Sequence, residues 1–464
     1  MKNYNRSLFT IFSAALILSS CNVDDVVVQE DDQPADVAVE NSAVGAVYAM
    51  ANGNGQIPGP VQDDNSIVAY ARAADGTLSP LGVFNTGGNG GDFDGGEGLD
   101  PLISAYALTK TDDNKNLLAV NAGSNTITSF NINDDFTLEL AGNPQPTGAE
   151  GPNSIAYTNS FGVDRDGVKG IVYVSNISRA EFLAGGEPEQ QGTITGYRLM
   201  EDGSLEAIIG STRNLATRPS AVQFSPDGRF LVVSSINAGA AALASGSEDE
   251  LVVYGVNADG TLSGSATGAA TSTLRGNAEG RNLPSAIGFQ IVGDNYVVVT
   301  EAREFQSDGT PPAFPALQDG SVSTWQITPA GTLTPISQDV ASGENNTGRT
   351  ACWLDFSDEN TFFVSNAIEA GLASYSFNNG VVELLDQTAA SGTGVGEIPT
   401  GPEAFAVTEG WIDMWISDDN EFLYQLYGLD GTIGVYRING QSLQLVEEVS
   451  GSLPETNTQG VVAI

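Results

Sequence analysis

The chain has 464 residues, with 58 Asp and Glu against 17 Lys and Arg, no His, and a formal net charge of -41. That balance argues against nucleic acid as a partner, because a phosphate backbone is bound by basic surface, and the absence of His rules out a Ser-His-Asp set. The 55 Gly residues suit a turn-rich all-β fold better than a helical one.

In chain order, Lys2 and Arg6 come first, then the apolar run LFTIFSAALIL over residues 8–18, which is too short for a typical membrane span. Leu18-Ser19-Ser20-Cys21 follows and resembles a bacterial lipobox. Residues 1–20 are therefore expected to be a signal peptide, and Cys21 the lipidated first residue. Residues 21–44 read as the lipidated Cys and an acidic tether. In that stretch Asp24 and Asp25 resemble the sorting signal of some surface-exposed lipoproteins. The expected location is the cell envelope, lipid-anchored at the outer membrane on either its periplasmic or its surface side, with membrane contact through the lipid alone. The expected state is a monomer. Cys352 is the one other cysteine, so an internal disulfide or a Cys-based metal cluster is not expected. Its setting, TACWLDF, reads as core.

From residue 45 onward one hairpin recurs. Its copies are SIVAYARAADGTL, TITSFNINDDFTL, TITGYRLMEDGSL, LVVYGVNADGTL, SVSTWQITPAGTL, LASYSFNNGVVEL and TIGVYRINGQSLQL. The aromatic before each turn is Tyr70, Phe130, Tyr197, Tyr254, Trp325, Tyr375 and Tyr436, at spacings of 60, 67, 57, 71, 50 and 61 residues. A second hairpin precedes each copy and is clearest in PSAVQFSPDGRFLVVSS. Four short strands with Asp-Gly-type turns, repeated seven times, predict a seven-bladed β-propeller over residues 45–464. The first unit, GAVYAMAN, begins at a second strand, and the chain ends in TQGVVAI. The C-terminal strand is therefore expected to complete the first blade and close the ring.

The pattern PSAVQFSPDGRFLVVSS…LVVYGVNADGTLS resembles the lactonase-type propellers, which include 6-phosphogluconolactonase and 3-carboxymuconate-lactonizing enzyme. The resemblance implies a site of His, Arg and Glu at the propeller mouth. Here TRPSAV places Ser220 where a His is expected, and VSNAIEA places Ala367 where an Arg is expected. VVVTEARE retains the family Glu as Glu301, with Arg303 two residues on. These two are the catalytic candidates, Glu301 as general base on water and Arg303 as stabiliser of the oxyanion of an opening lactone.

Four long loops, NGNGQIPGPVQDDN, NISRAEFLAGGEPEQQG, NAGAAALASGSEDE and AREFQSDGTPPAFPALQDG, are expected to wall a pocket on that face. Arg179, Arg213, Arg218, Arg275, Arg281, Arg303 and Arg349 are assigned to loops of the same face. Of these, Arg179, Arg218, Arg281 and Arg349 are candidates to hold a small anion through paired hydrogen bonds. Trp353, Trp411 and Trp415 read as blade core. Asp92, Asp94, Glu97 and Asp100, among glycines, are calcium candidates by ligand type but lack the spacing of a recognised calcium loop; Asp164 and Asp166 are weaker ones. No other cofactor is expected. Two functions fit these residues. One is hydrolysis or formation of a lactone of a small anionic sugar-derived or aromatic acid. The other is non-catalytic binding of a glycan, peptide or envelope partner.

Overall fold

The computed structural model describes residues 43–53, 64–91, 100–161, 166–177, 192–215, 218–236, 250–263, 271–273, 283–305, 320–343, 350–367, 371–391 and 410–464. The repeated turn has a chemical cause. Asp75, Asp135, Asp202 and Asp259 each accept a backbone N–H and a hydroxyl from the Thr or Ser two residues on. The hydroxyl contacts span 2.5–2.7 Å and the amide contacts 3.0–3.1 Å. The residue between takes a positive φ, which Gly adopts without steric cost: Gly76, Gly203 and Gly260 do so, and Phe136 does so at 64°. The Asp-Gly-Thr/Ser signature is thus a self-bonded turn, and it fixes hairpin register wherever it occurs.

The strands form seven antiparallel sheets. Blade 1 holds β1 (Gly45–Met50), β2 (Asp64–Arg72) and β3 (Leu78–Asn89). Blade 2 holds β4 (Leu108–Lys110), β5 (Asn116–Asn121), β6 (Thr126–Ile132), β7 (Leu138–Leu140) and β8 (Gln145–Pro146). Blade 3 holds β9 (Pro152–Thr158), β10 (Val168–Asn176), β11 (Thr193–Met200), β12 (Leu205–Ala207) and β13 (Arg213–Asn214). Blade 4 holds β14 (Arg218–Phe224), β15 (Phe230–Ile236), β16 (Glu250–Gly255) and β17 (Thr271–Thr273). Blade 5 holds β18 (Leu283–Val292), β19 (Tyr296–Phe305), β20 (Ser321–Ile327), β21 (Leu333–Pro335) and β22 (Val340–Ala341). Blade 6 holds β23 (Ala351–Asp358), β24 (Thr361–Asn366), β25 (Gly371–Asn378) and β26 (Val381–Ser391). Blade 7 holds β27 (Trp411–Ile416), β28 (Phe422–Tyr427), β29 (Thr432–Asn439) and β30 (Ser442–Val449). The last strand, β31 (Val461–Ala463), pairs with β1 and supplies the innermost strand of blade 1, as the chain ends predicted. Arg72 Nε donates to the Ile464 carbonyl at 3.0 Å and pins the end of that strand.

The second strand of each blade is apolar on both sides, and alternation sends its residues to opposite neighbours. Val297 and Val299 join Val232, Leu251 and Val253 of blade 4, whereas Val298 joins Phe362 and Val364 of blade 6. Cys352 lies in this core at 3 % exposure. Trp353 and Trp411 are buried too, and Trp411 stacks on Tyr427 with ring centroids 4.9 Å apart. Trp415 is only partly buried.

The axis of the ring is occupied by the chain itself. Residues 100–107 lead into β4 and cross the centre. Ser104 Oγ donates to the Asn153 carbonyl of blade 3 at 2.7 Å, and Ala105 N donates to the Ser220 carbonyl of blade 4 at 3.2 Å. The Tyr106 hydroxyl reaches the Phe289 carbonyl of blade 5 at 2.9 Å, and Trp353 Nε1 of blade 6 donates to the Ser104 carbonyl at 2.9 Å. Gln459, just before β31, receives Leu102 N at 2.7 Å and gives its amide to the Ser104 carbonyl at 2.7 Å. Ile103 (φ 49°) and Tyr106 (φ 65°) sit in the left-handed region, a conformation costing of order 1–3 kcal/mol for such side chains. Contacts with five blades hold them there. The expectation that loops alone would wall the centre did not anticipate this plug.

Candidate functional site

The second strands end on the side where the inner strands begin, and that side carries the retained family residue. Glu301, near the end of β19, is 1 % exposed and accepts a hydrogen bond from Ser321 Oγ at 2.5 Å. Register places it opposite Ala286 on the inner strand and Ser321 on the third. By alternation it shares the side of Val297 and Val299, toward blade 4. From blade 4 comes Ser220, the residue standing where the family has His. Its hydroxyl is buried, bonds Ser234 Oγ at 2.8 Å and donates to the Ala286 carbonyl. Ser220 and Glu301 thus meet the same inner-strand residue from two sides. Ser220 is committed to a backbone carbonyl and offers no group that titrates near neutrality, which leaves Glu301 as the ionisable side chain described at this junction.

Arg303 lies within β19, in register with Pro284, and Arg218 opens β14 as a buried residue in register with Ile236. Neither is in a loop, contrary to the sequence assignment. Arg213 is also in a strand, β13, where its guanidinium donates to the carbonyls of Gly210, Thr212 and Leu262 at 2.7–2.9 Å. It therefore ties blade 3 to blade 4. Arg179, Arg275, Arg281 and Arg349 lie outside the described residues, as do Asp92, Asp94, Glu97, Asp164 and most of the four long loops. Asp100 belongs to the plug and accepts Gln459 Nε2 at 2.7 Å; Asp166 is exposed. Among the described residues no group of three or more acidic or cysteine side chains could hold a metal ion. Ala367, where the family has Arg, is buried.

Sequence reading missed a belt of equivalent positions. The seven repeat aromatics pair in register with Val47, Leu117, Val172, Leu231, Val297, Phe362 and Leu423. Four residues further along each second strand stand Ala51, Asn121, Asn176, Ser235, Glu301, Asn366 and Tyr427. Five of the seven are buried and polar. In blade 2 the polar group is a cross-link: Asn121 donates to Thr126 and Thr128 and accepts from Asn65 and Thr86 of blade 1, at 2.6–3.1 Å. In blade 6 the same residue type, Asn366, finds no hydrogen-bond partner for either amide atom among the described residues. The signal was present as LAVN, YVSN, VVSS, VVTE and FVSN, a polar residue closing an apolar run.

The second missed feature is a pair of carboxylates on inner strands. Asp355 accepts from Gln290 Nε2 at 2.7 Å, Ile416 N at 2.7 Å and Phe356 N at 2.9 Å. Burial nevertheless raises it to about 6, against the lowering effect of those donors. Asp413 is raised by burial to about 7, opposed by the N–H of Gly460 at 2.7 Å. Tyr106 lies between blades with its hydroxyl held well above its ordinary range by burial first and by the Asp355 charge second.

No protein-family profile matches the chain, and no curated protein sequence matches it. Solved structures do. Two Bacteroides proteins, from B. uniformis and B. fragilis, each described as "a putative 6-phosphogluconolactonase", are 16 % and 14 % identical, both with a TM-score of 0.54. They cover 89 % and 90 % of this chain and are themselves covered to 98 % and 97 %. A hypothetical selenium-binding protein from Sulfolobus tokodaii is as similar in shape, with a TM-score of 0.55 and 11 % identity over 90 % of this chain and 93 % of its own. At such identities the likeness establishes architecture and leaves the reaction to the residues. The chain is thus a seven-bladed β-propeller, the fold it shares with these structures.

Proposed function

We propose that the protein is a lactonase-like propeller that opens or forms a lactone of a small anionic acid, sugar-derived or aromatic, at the junction of blades 4 and 5. The observation that carries this reading is the buried Glu301 carboxylate, held by Ser321 beside the Ser220–Ala286 contact. In the opening direction Glu301 takes a proton from water as the water oxygen bonds to the lactone carbonyl carbon. The ring C–O bond then breaks, and the departing alkoxide takes the proton, giving the hydroxy acid. Arg303 is proposed to meet the oxyanion. The chain is further proposed to work in the cell envelope, anchored through Cys21.

A second reading is favoured by the plug. With residues 100–107 crossing the axis and Ser220 in place of His, the same face would serve as a binding surface for a glycan, peptide or envelope partner. Proton release by residues 43–464 across sugar and aromatic-acid lactones separates the two. Turnover that disappears in Glu301→Gln and Arg303→Ala supports the lactonase reading. Rates equal to those of the variants on every lactone exclude it and leave the binding reading.

A further inference from the structure

The reading above makes no use of a narrow cavity on the axis, beside Tyr106 and away from Glu301. Its walls include Ala105, Tyr106, Trp353, Asp413, Trp415 and Val461, and it has room for about one water molecule. Asp413 is 5 % exposed and borders this space. One of its oxygens takes the Gly460 N–H, and among the described residues no hydrogen bond reaches the other. Lys110, on the inner strand of blade 2, is engaged by Asp418 at 2.8 Å and Asn114 at 2.7 Å. The remaining wall is largely carbon. The rings of Tyr106 and Trp415 meet edge to face with centroids 6.5 Å apart, and Trp353 is locked by its bond to Ser104.

We propose that this cavity binds a primary ammonium group, with Asp413 as counter-ion and the rings of Tyr106, Trp353 and Trp415 as its walls. A metal ion wants several oxygen ligands, whereas one free carboxylate oxygen among aromatic faces suits an organic cation. The space fits an NH3+ head and excludes a quaternary one. Partly exposed Trp415 marks the way in, and a net charge of -41 concentrates cations around the protein.

The test is thermal unfolding and Trp fluorescence in amine-free buffer at fixed ionic strength, titrated with methylammonium, tetramethylammonium or sodium chloride. Methylammonium is expected to raise the melting temperature saturably and to shift the emission, and the other two salts to do neither. Asp413→Asn keeps an oxygen for Gly460 and is expected to lose the response. Trp415→Leu leaves ring closure intact and is expected to weaken it about tenfold. No saturable effect on the wild-type chain overturns the proposal. So does an equal response to sodium, which would mean an inorganic cation site, or an undiminished response in Trp415→Leu or in folded Asp413→Asn.

Discussion

Asp413 gives a measurable pH signature. In the folded chain its carboxyl is raised from 3.8 to about 7 by burial, while in the unfolded chain it ionises near the ordinary value. Between those values the folded state keeps a proton that the unfolded state has released. Stability from this group is therefore fully present below pH 4 and is lost as pH climbs toward 7. Integrated over the shift, the loss is on the order of 4 kcal/mol, of which about 3 kcal/mol falls between pH 5 and pH 8. Asparagine cannot ionise and still accepts the Gly460 N–H. Urea unfolding of wild type and Asp413→Asn at both pH values, in amine-free buffer, isolates the effect, because the other carboxylates cancel in the difference. The variant's advantage should grow by about 3 kcal/mol from pH 5 to pH 8. A gap that does not change with pH, or a variant less stable at pH 8, would refute a buried, desolvated Asp413.

Four further outcomes follow from the packing. Asn121→Ala leaves the Asn65 and Thr86 donors without their acceptor, so chemical denaturation should show a loss of about 2–3 kcal/mol. Asn366→Ala removes an amide that finds no hydrogen-bond partner among the described residues, and the same assay should find it within about 0.5 kcal/mol of wild type or more stable. Deleting residues 461–464 strips β1 of its inner partner and exposes an unpaired edge; limited proteolysis should then cut first inside blade 1. Cys352, at 3 % exposure, should react with a thiol reagent only after unfolding.

The ring was legible because four of the seven repeats carry the same self-bonded turn. An Asp, a residue tolerant of positive φ and a Ser or Thr form a self-contained unit that a sequence displays locally. The closure was legible because a second strand at one end and an inner strand at the other are complementary fragments. The plug was not. Its run DPLISAYA has neither strand alternation nor helical period, and Ile103 and Tyr106 adopt conformations their own chemistry disfavours. Only contacts from blades distant in sequence select that path. Glu301 was singled out through the resemblance of VVVTEARE to the family segment. Asp413 and Asp355 were not singled out, although an Asp set inside WIDMWI or WLDF was itself the signal. Arg218 and Arg303, assigned to loops, lie in strands that run further toward the mouth than their apolar cores suggest.

The closure by β31 also governs when the protein can become native. Blade 1 lacks its innermost strand until the final residues are available, and Gln459, which clamps the plug, arrives just before them. A chain whose β31 has not yet been made therefore holds six complete blades at most and an unclamped axis. Docking of β31 on β1 is the step that lets the ring lock.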